Sequence, residues 1–461
     1  MSNINRIKHE LKALIQLAVP ILIAQLSFTA MGFIDTVMAG HYSEIDLAAI
    51  AIGTSLTIPL VLFGQAILFS VTAKAAPYWG AGDYLKAGHC FKEGIVLAIY
   101  SAVPLLCLLL LLAHNLENFG LSKELSSIAA RYQFFIALSL PITGLYQASR
   151  SYIESTGQTR PMMVINLLGL LFNIPLNYVF IYGYAGFPPM GSAGCGLATL
   201  LVFAFMLIAS WLFIKHNKTC QCGFDAVNPK PITFKEVARL SMGAFNLAKL
   251  GFPIALTMLA EVSLFTVIAL LIAPLGTLMI ASHQIALNVS SQLFMLPYSQ
   301  ATAMTIRVGH LMGEKNKHHT LFAIKVGLGL GVCISILTAS FVGLGSQLLA
   351  QIYTDNSDII LIASGLLTLA AIYQIPDAIQ VISNGILRAF HCVKSPLVVS
   401  LCSYWLIALP TGYYLAFYHV KNEPLGAAGF WQALILGLSL NAIGLAYLLH
   451  KQIKILFENN T

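Results

Sequence analysis

Long uninterrupted apolar runs dominate this chain and leave it few ways to fold. From Gly94 to Ala113 no residue carries a charge, and comparable runs recur along the whole length. A helix needs about 20 apolar residues to cross a hydrocarbon core of about 30 Å. Inside that core every backbone N–H and C=O must be satisfied internally, so only helices or closed barrels can span it. Barrel strands alternate apolar and polar residues, whereas these runs are continuous. Charged residues make up 9% of the chain, against about 25% in soluble domains, so a water-facing globular surface is excluded. The expected fold is an all-α polytopic membrane protein.

Twelve spans are expected, at about 13–37, 46–72, 93–113, 126–149, 161–182, 191–214, 247–273, 279–305, 321–345, 360–387, 396–418 and 426–449. The first follows a polar, basic start and is too long for a cleavable signal, so it reads as a span. Twelve spans place both termini on one side. With that side cytoplasmic, all 25 Lys and Arg except Lys123, Arg131 and Lys421 fall in cytoplasmic segments, as the positive-inside rule requires. The net charge of +7 is therefore a topology signal and not a sign of nucleic-acid binding. The eight cysteines are mostly isolated in apolar runs and read as small hydrophobes. Cys220 and Cys222, with His216 nearby, lack a second pair at finger-like spacing and read as an ordinary cytoplasmic loop.

The two halves repeat. Leu17-Ala-Val-Pro20 matches Leu250-Gly-Phe-Pro253 at an offset of 233, as do Lys74 with Arg307 and Gly80 with Gly313. Pro141, Pro161, Pro175 and Gly194 match Pro376, Pro396, Pro410 and Gly429 at an offset of 235. Each half then has six spans in the same orientation, forming two six-helix lobes related by a pseudo-two-fold along the membrane normal. The expected organisation is an N-terminal lobe over 1–218, a cytoplasmic linker over 219–245 bearing Pro229 and Pro231, and a C-terminal lobe over 246–461. Two lobes flanking a cleft suit a secondary transporter working as a monomer; a channel is more often assembled from several copies around an axis.

Of the 18 Asp and Glu, only Asp35, Glu261 and Asp377 fall inside spans. An ionisable group at that depth costs about 2.5–3.5 kcal/mol on insertion scales and normally has a function. No Lys or Arg is expected at their depth. In the repeat frame Asp35 maps onto Ile268, Glu261 onto Phe28 and Asp377 onto Ile142, so the acids are not symmetry copies. The C-terminal half owns two of them, which suggests that it carries the main cation site. Pro376, preceding Asp377, frees the carbonyl near Ile372. An oxygen cage for Na⁺ and a wet site for proton exchange both fit; so does a plain packing kink. Asn166, Asn173 and Asn177 share a face of the fifth span, where they either complete an Asp35 network or bond helices together. The eighth span offers His283, read as structural, with Gln284 and Asn288. Phe265 and Tyr373 are candidates to line a cleft for flat cations.

The chain has no GxxxxGK[ST] phosphate loop and no large soluble domain, so ATP is not the expected energy source. No hydrolase motif is present either, and the chain is not expected to be an enzyme. An ion gradient remains, and antiport of a cation against a substrate fits the acids.

Met31-Gly-Phe-Ile-Asp35-Thr-Val-Met-Ala-Gly40, behind Leu17-Ala-Val-Pro20, resembles the first-span signature of the multidrug and toxic compound extrusion (MATE) family. Arg307-Val-Gly-His-Leu-Met-Gly-Glu314, Leu171-Phe-Asn-Ile-Pro-Leu-Asn177, Pro253 through Glu261, Ala371-Ile-Tyr-Gln-Ile-Pro-Asp377 and Ser403-Tyr-Trp-Leu-Ile-Ala-Leu-Pro-Thr-Gly412 extend the likeness over nearly the whole chain, toward the NorM-type bacterial branch. The resemblance implies efflux of cationic lipophilic drugs and dyes, fluoroquinolones among them, from a bacterial inner membrane in exchange for Na⁺ or H⁺, without a cofactor. It implies that Glu261 and Asp377 form the cation site, with Tyr373 beside them, and that Asp35 works with Asn173 and Asn177. The alternative is a flippase for lipid-linked substrates from a related lineage. That reading predicts a cationic cleft, where this chain is expected to have acids and no buried arginine.

Overall fold

Each apolar run becomes a helix, since a helix satisfies its own backbone wherever water is excluded. The computed structural model describes residues 3–119, 121–221, 234–418 and 424–458. Six spans come first: α1 (Asn3–Tyr42), α2 (Glu44–Ile67) running on into α3 (Phe69–Gly80), α4 (Tyr84–His114), α5 (Lys123–Ser155), α6 (Arg160–Tyr182) and α7 (Ser192–His216). Six more follow: α8 (Phe234–Ile272), α9 (Thr277–Gly313), α10 (Lys317–Gln351), α11 (Ser357–Ala389), then α12 (Lys394–Leu401) continuing through a π-helical stretch (Cys402–Ala408) into α13 (Leu409–Phe417), and α14 (Ala427–Glu458). No strand occurs among the described residues. Cys222, Pro229, Pro231 and Lys421 lie outside them.

Eleven helical segments among the described residues are long and apolar enough to cross a membrane. α9 is the twelfth. At 37 residues it has the length, but its polar residues dilute the hydropathy, and it buries Ser282, His283, Ser290, Ser299 and Gln300.

The chain packs as two compact units, Val19–Ala255 and Met1–Ala18 with Leu256–Thr461. Both divisions fall inside continuous helices, within three residues of a proline: Pro20 in α1 and Pro253 in α8. The first turns of α8, at 234–245, occupy part of the expected linker. One core joins Ile50, Tyr132, Ile136 and Leu140. Another joins Leu264, Ile268, Leu366, Phe430 and Trp431.

Equivalent contacts within each unit make the repeat physical. Met190 and Gly191 donate their backbone N–H to Phe180 and Ile181 at 3.0 and 3.2 Å; Leu425 and Gly426, 235 residues on, donate to Leu415 and Ala416 at 3.2 and 3.3 Å. Gly191 and Gly426 both have φ of 56°, a region natural to glycine. A Cβ on Gly194 would strike the Phe180 carbonyl, and one on Gly429 the backbone at Leu415–Ala416. The halves then diverge: Asp46, buried, takes the Ser192 N–H at 2.6 Å and so caps α7.

The repeat-related cations Lys74 and Arg307 each find a carboxylate, from different sources. Glu93 on α4 meets Lys74 at 2.7 Å. The counterpart of Glu93 is Val326, and Glu10 from the start of α1 meets Arg307 instead, through Nε at 2.7 Å and Nη2 at 2.8 Å, with His319 Nε2 at 3.0 Å. The counterpart of Glu10 is Gly243, which has no Cβ because the Glu93 carboxylate fills that space. Glu10 is fully buried, so its loss strands the Arg307 charge. Glu10→Ala is expected to cost about 3–5 kcal/mol, and Gly243→Ala about 1–3 kcal/mol by crowding Glu93. Thermal unfolding of the purified protein in detergent checks both; an unchanged Tm for Glu10→Ala would refute the assignment.

Candidate functional site

The three acids expected inside the membrane sit in two separate polar clusters, one in each unit. In the first, α1 carries Asp35, α6 carries Asn173 and Asn177, and α7 carries Thr199. Asp35 Oδ1 accepts from Asn173 Nδ2 at 2.9 Å and from Asn177 Nδ2 at 2.6 Å, and Oδ2 accepts from Thr199 Oγ1 at 3.3 Å. Asn177 Nδ2 also donates to Asn173 Oδ1 at 3.2 Å. The spacing of four along α6 stacks the two amides on one face, as the sequence implied. Asn177 Oδ1 is buried without a hydrogen-bond partner among the described residues. Asn166 stands apart: its Nδ2 donates to Tyr146 Oη and to the Met162 carbonyl, both at 2.7 Å, tying α6 to α5.

The second cluster pairs Glu261 on α8 with Asp377 on α11. A single amide links them: Gln380 Nε2 donates to Asp377 Oδ1 at 3.1 Å and to Glu261 Oε1 at 3.3 Å. Behind it, Asn441 on α14 donates through Nδ2 to Gln380 Oε1 at 3.1 Å and to Tyr404 Oη at 2.8 Å. Ser400 Oγ donates to Asn441 Oδ1 at 3.3 Å. Trp405 Nε1 donates to the Ala260 carbonyl at 3.1 Å, next to Glu261. Asp377 is buried and also lines a pocket with Ser290, Phe294, Ser335, Thr338, Tyr373 and Gln374. Among the described residues, no Lys, Arg or His forms an ion pair with any of the three acids. Their partners are neutral amides and hydroxyls.

The remaining candidates divide. Tyr373 is buried four residues before Asp377, its ring 5.7 Å from that of Trp431. Phe265 packs against the same core. Gln284 and Asn288 are exposed on α9, where Asn288 Nδ2 donates to the Gln284 carbonyl at 2.9 Å. His283 is buried and accepts from Trp431 Nε1 at 3.2 Å through Nδ1, in keeping with a structural role. The expectation of no buried arginine needs correction: Arg150 and Arg388 are both buried. They sit near the ends of α5 and α11, and Arg150 pairs with Glu154 at 2.7 Å. A long side chain can bury its stem near a helix end and still find a partner for its head.

Thr199, Gln380, Tyr404 and Asn441 did not stand out in sequence. Gln380 had a signal, at i+3 from Asp377 on one helix face. Asn441 is a lone amide in an apolar run, which a satisfied core residue would also show.

The MatE family model matches residues 20–179 and 253–414, one segment in each half and together more than half of the chain. The chain belongs to the MatE family. Its fold is likewise that of solved MATE transporters. The eukaryotic AtDTX14 is 20% identical, with a TM-score of 0.84, covering 98% of this chain and 99% of that one. Vibrio cholerae VcmN in the bent form is 17% identical, with a TM-score of 0.84 and coverage of 98% and 99%. A MOP-superfamily transporter from Pyrococcus furiosus Vc1, described as having a binding pocket of reverse polarity that suggests a different function, is 18% identical, with a TM-score of 0.82 and coverage of 99% and 99%. This chain is thus a multi-pass membrane protein of the MatE family with the fold of solved MATE transporters.

The Asp35 cluster makes a direct prediction. A double-mutant cycle on Asp35→Leu and Asn177→Leu, read as Tm in detergent, is expected to show coupling of about 0.5–3 kcal/mol. Additive losses would mean that the 2.6 Å contact contributes nothing.

Proposed function

We propose that this MATE-family protein is a multidrug efflux antiporter. It exports cationic lipophilic drugs and dyes, fluoroquinolones among them, against inward Na⁺ or H⁺. The observation that carries this reading is the Glu261–Asp377 pair. Two carboxyl groups share one neutral amide inside a membrane unit, with no cationic side chain among the described residues paired to either. Such a pair needs a mobile positive charge. A proton suits it, and so does a hard cation among carboxylate oxygens.

Cation and drug then compete for the same negative charge. With the pair open to the outside, an entering Na⁺ or H⁺ neutralises it and weakens its hold on a cationic drug, which leaves. With the pair open to the inside, the ion departs and the restored charge recruits the next drug. Alternating access converts this competition into exchange. Asp35, within its cage of donors, adds a second anionic position in the other unit. The positive-inside distribution supports cytoplasmic termini in a bacterial inner membrane, and the chain is read as working as a monomer. Flipping of lipid-linked substrates is less favoured, because the buried arginines sit near helix ends and the acids hold the interior.

Ethidium efflux from proteoliposomes, under an imposed Na⁺ gradient or pH gradient applied singly, tests the proposal. One gradient is expected to drive efflux above the gradient-free rate. Glu261→Gln and Asp377→Asn should each lower the driven rate by at least about tenfold, the equivalent of ~1.4 kcal/mol in transition-state or binding free energy. Equal efflux with and without gradients would refute antiport. Full activity in both variants would refute the site.

A further inference from the structure

We infer that Gln380 is a positioning residue of the acid pair: clamped by Asn441, its amide presents only donors to Glu261 and Asp377 and keeps its own carbonyl out of the cation's coordination shell. The inference rests on the cation-site reading above and specifies how that site is set.

A glutamine amide carries two N–H donors on one side and a carbonyl acceptor on the other. Both donors of Gln380 are used, one on each carboxylate. Its carbonyl is taken by Asn441 Nδ2 at 3.1 Å. Turning the amide over would set a carbonyl against two carboxylates and an NH₂ against an NH₂, losing three hydrogen bonds. Asn441 is fixed by the same logic. Its own two N–H groups go to Gln380 and Tyr404, and its carbonyl receives the Ser400 hydroxyl. Gln380, Asn441, Tyr404 and Ser400 are all no more than 1% exposed, so water cannot replace a missing partner.

The wider turn of the π-helical stretch contributes to this arrangement. Ser400 just before it and Tyr404 within it both reach Asn441, while the adjoining Trp405 holds the Ala260 carbonyl. One irregular segment thereby supports both the amide and the backbone beside Glu261. π-turns of this kind recur at functional sites.

The chemical consequence is a bias. A donor-only neighbour stabilises carboxylates as anions, ready to take a cation. Without it, each acid more readily keeps a proton, and Na⁺ must displace that proton before it binds. The titratable side chains nearest the pair are Tyr373 on α11 and Tyr404 on the π-helical stretch; α14 presents Asn441, and His283 of α9 is engaged by Trp431.

The test uses Gln380→Met, which preserves length and shape but removes both donors, beside Gln380→Ala. In ethidium-loaded proteoliposomes the driving cation is titrated, Na⁺ at fixed pH or H⁺ where the pH gradient drives efflux. Both variants are expected to shift the half-activating Na⁺ concentration upward about tenfold, or to move half-maximal proton-driven efflux to more alkaline pH. Asn441→Asp, nearly isosteric but presenting only acceptors toward Gln380, should shift cation dependence in the same direction. Na⁺ titration of tryptophan fluorescence on the detergent-purified variants, reported by Trp405, gives the same shift independently of transport. If Gln380→Met retains wild-type cation dependence while Gln380→Ala loses it, the residue only fills space and the inference is wrong. If wild type itself shows no gradient-driven efflux, the antiport reading has failed, an outcome distinct from a wild-type-like Gln380→Met.

Discussion

A buried polar group in an apolar medium must find a partner or pay a large desolvation cost, and this one constraint organises the molecule. It makes every span helical. It also determines how the three interior acids are housed. Each is met by amides or hydroxyls and, among the described residues, none by a fixed cation: Asp35 by Asn173, Asn177 and Thr199, and Glu261 with Asp377 by Gln380. Neutral partners hold the carboxyl groups in place while leaving their charge uncompensated.

The ends of the spans solve the same problem in the opposite way. Lys74 with Glu93, Arg150 with Glu154, and Arg307 with Glu10 are resident ion pairs. These charges neutralise one another and fix structure. The Glu10–Arg307 pair ties the first turns of α1 into the unit that otherwise begins at Leu256. The carboxylates thus differ in what they meet: a cation for Glu10, Glu93 and Glu154 near the span ends, and an amide for Asp35, Glu261 and Asp377 in the interior.

Much of this was legible in the sequence because its cause is local or periodic. Apolar run length gave helix count, and proline and glycine matches gave the repeat; both depend on backbone requirements that leave a residue-type signature. Gly194 and Gly429 match because each permits the same close approach of backbone. The interior acids stood out because their cost is intrinsic to the side chain. α9, expected at 279–305, is the most polar of the spans, and its buried Ser282, His283, Ser290, Ser299 and Gln300 account for that. The amides were harder to find. Asn441 lies 61 residues from Gln380 and 37 from Tyr404, and only folding brings them into hydrogen-bond range. A hydrogen-bond partner chosen by geometry leaves no pattern along the chain. Gln284 and Asn288 are polar residues of a span that folding leaves exposed, with Asn288 bonded within its own helix.

The asymmetry between the halves follows from the same distinction. Backbone contacts repeat closely, down to paired hydrogen bonds 235 residues apart. Charged side chains do not. Where one unit places Glu93 beside Lys74, the other brings Glu10 to Arg307, and the position equivalent to Glu10 becomes Gly243 so that Glu93 fits. One unit holds a single caged acid and the other an acid pair. A duplicated scaffold can tolerate such divergence because helix packing depends on shape at glycines and prolines, whereas ion affinity depends on a few oxygens. Two strictly equivalent acid sites would bind and release together with no preference between them. This chain instead sets unequal polar clusters on equivalent frames, one acid among three donors in one unit and two acids on a single amide in the other.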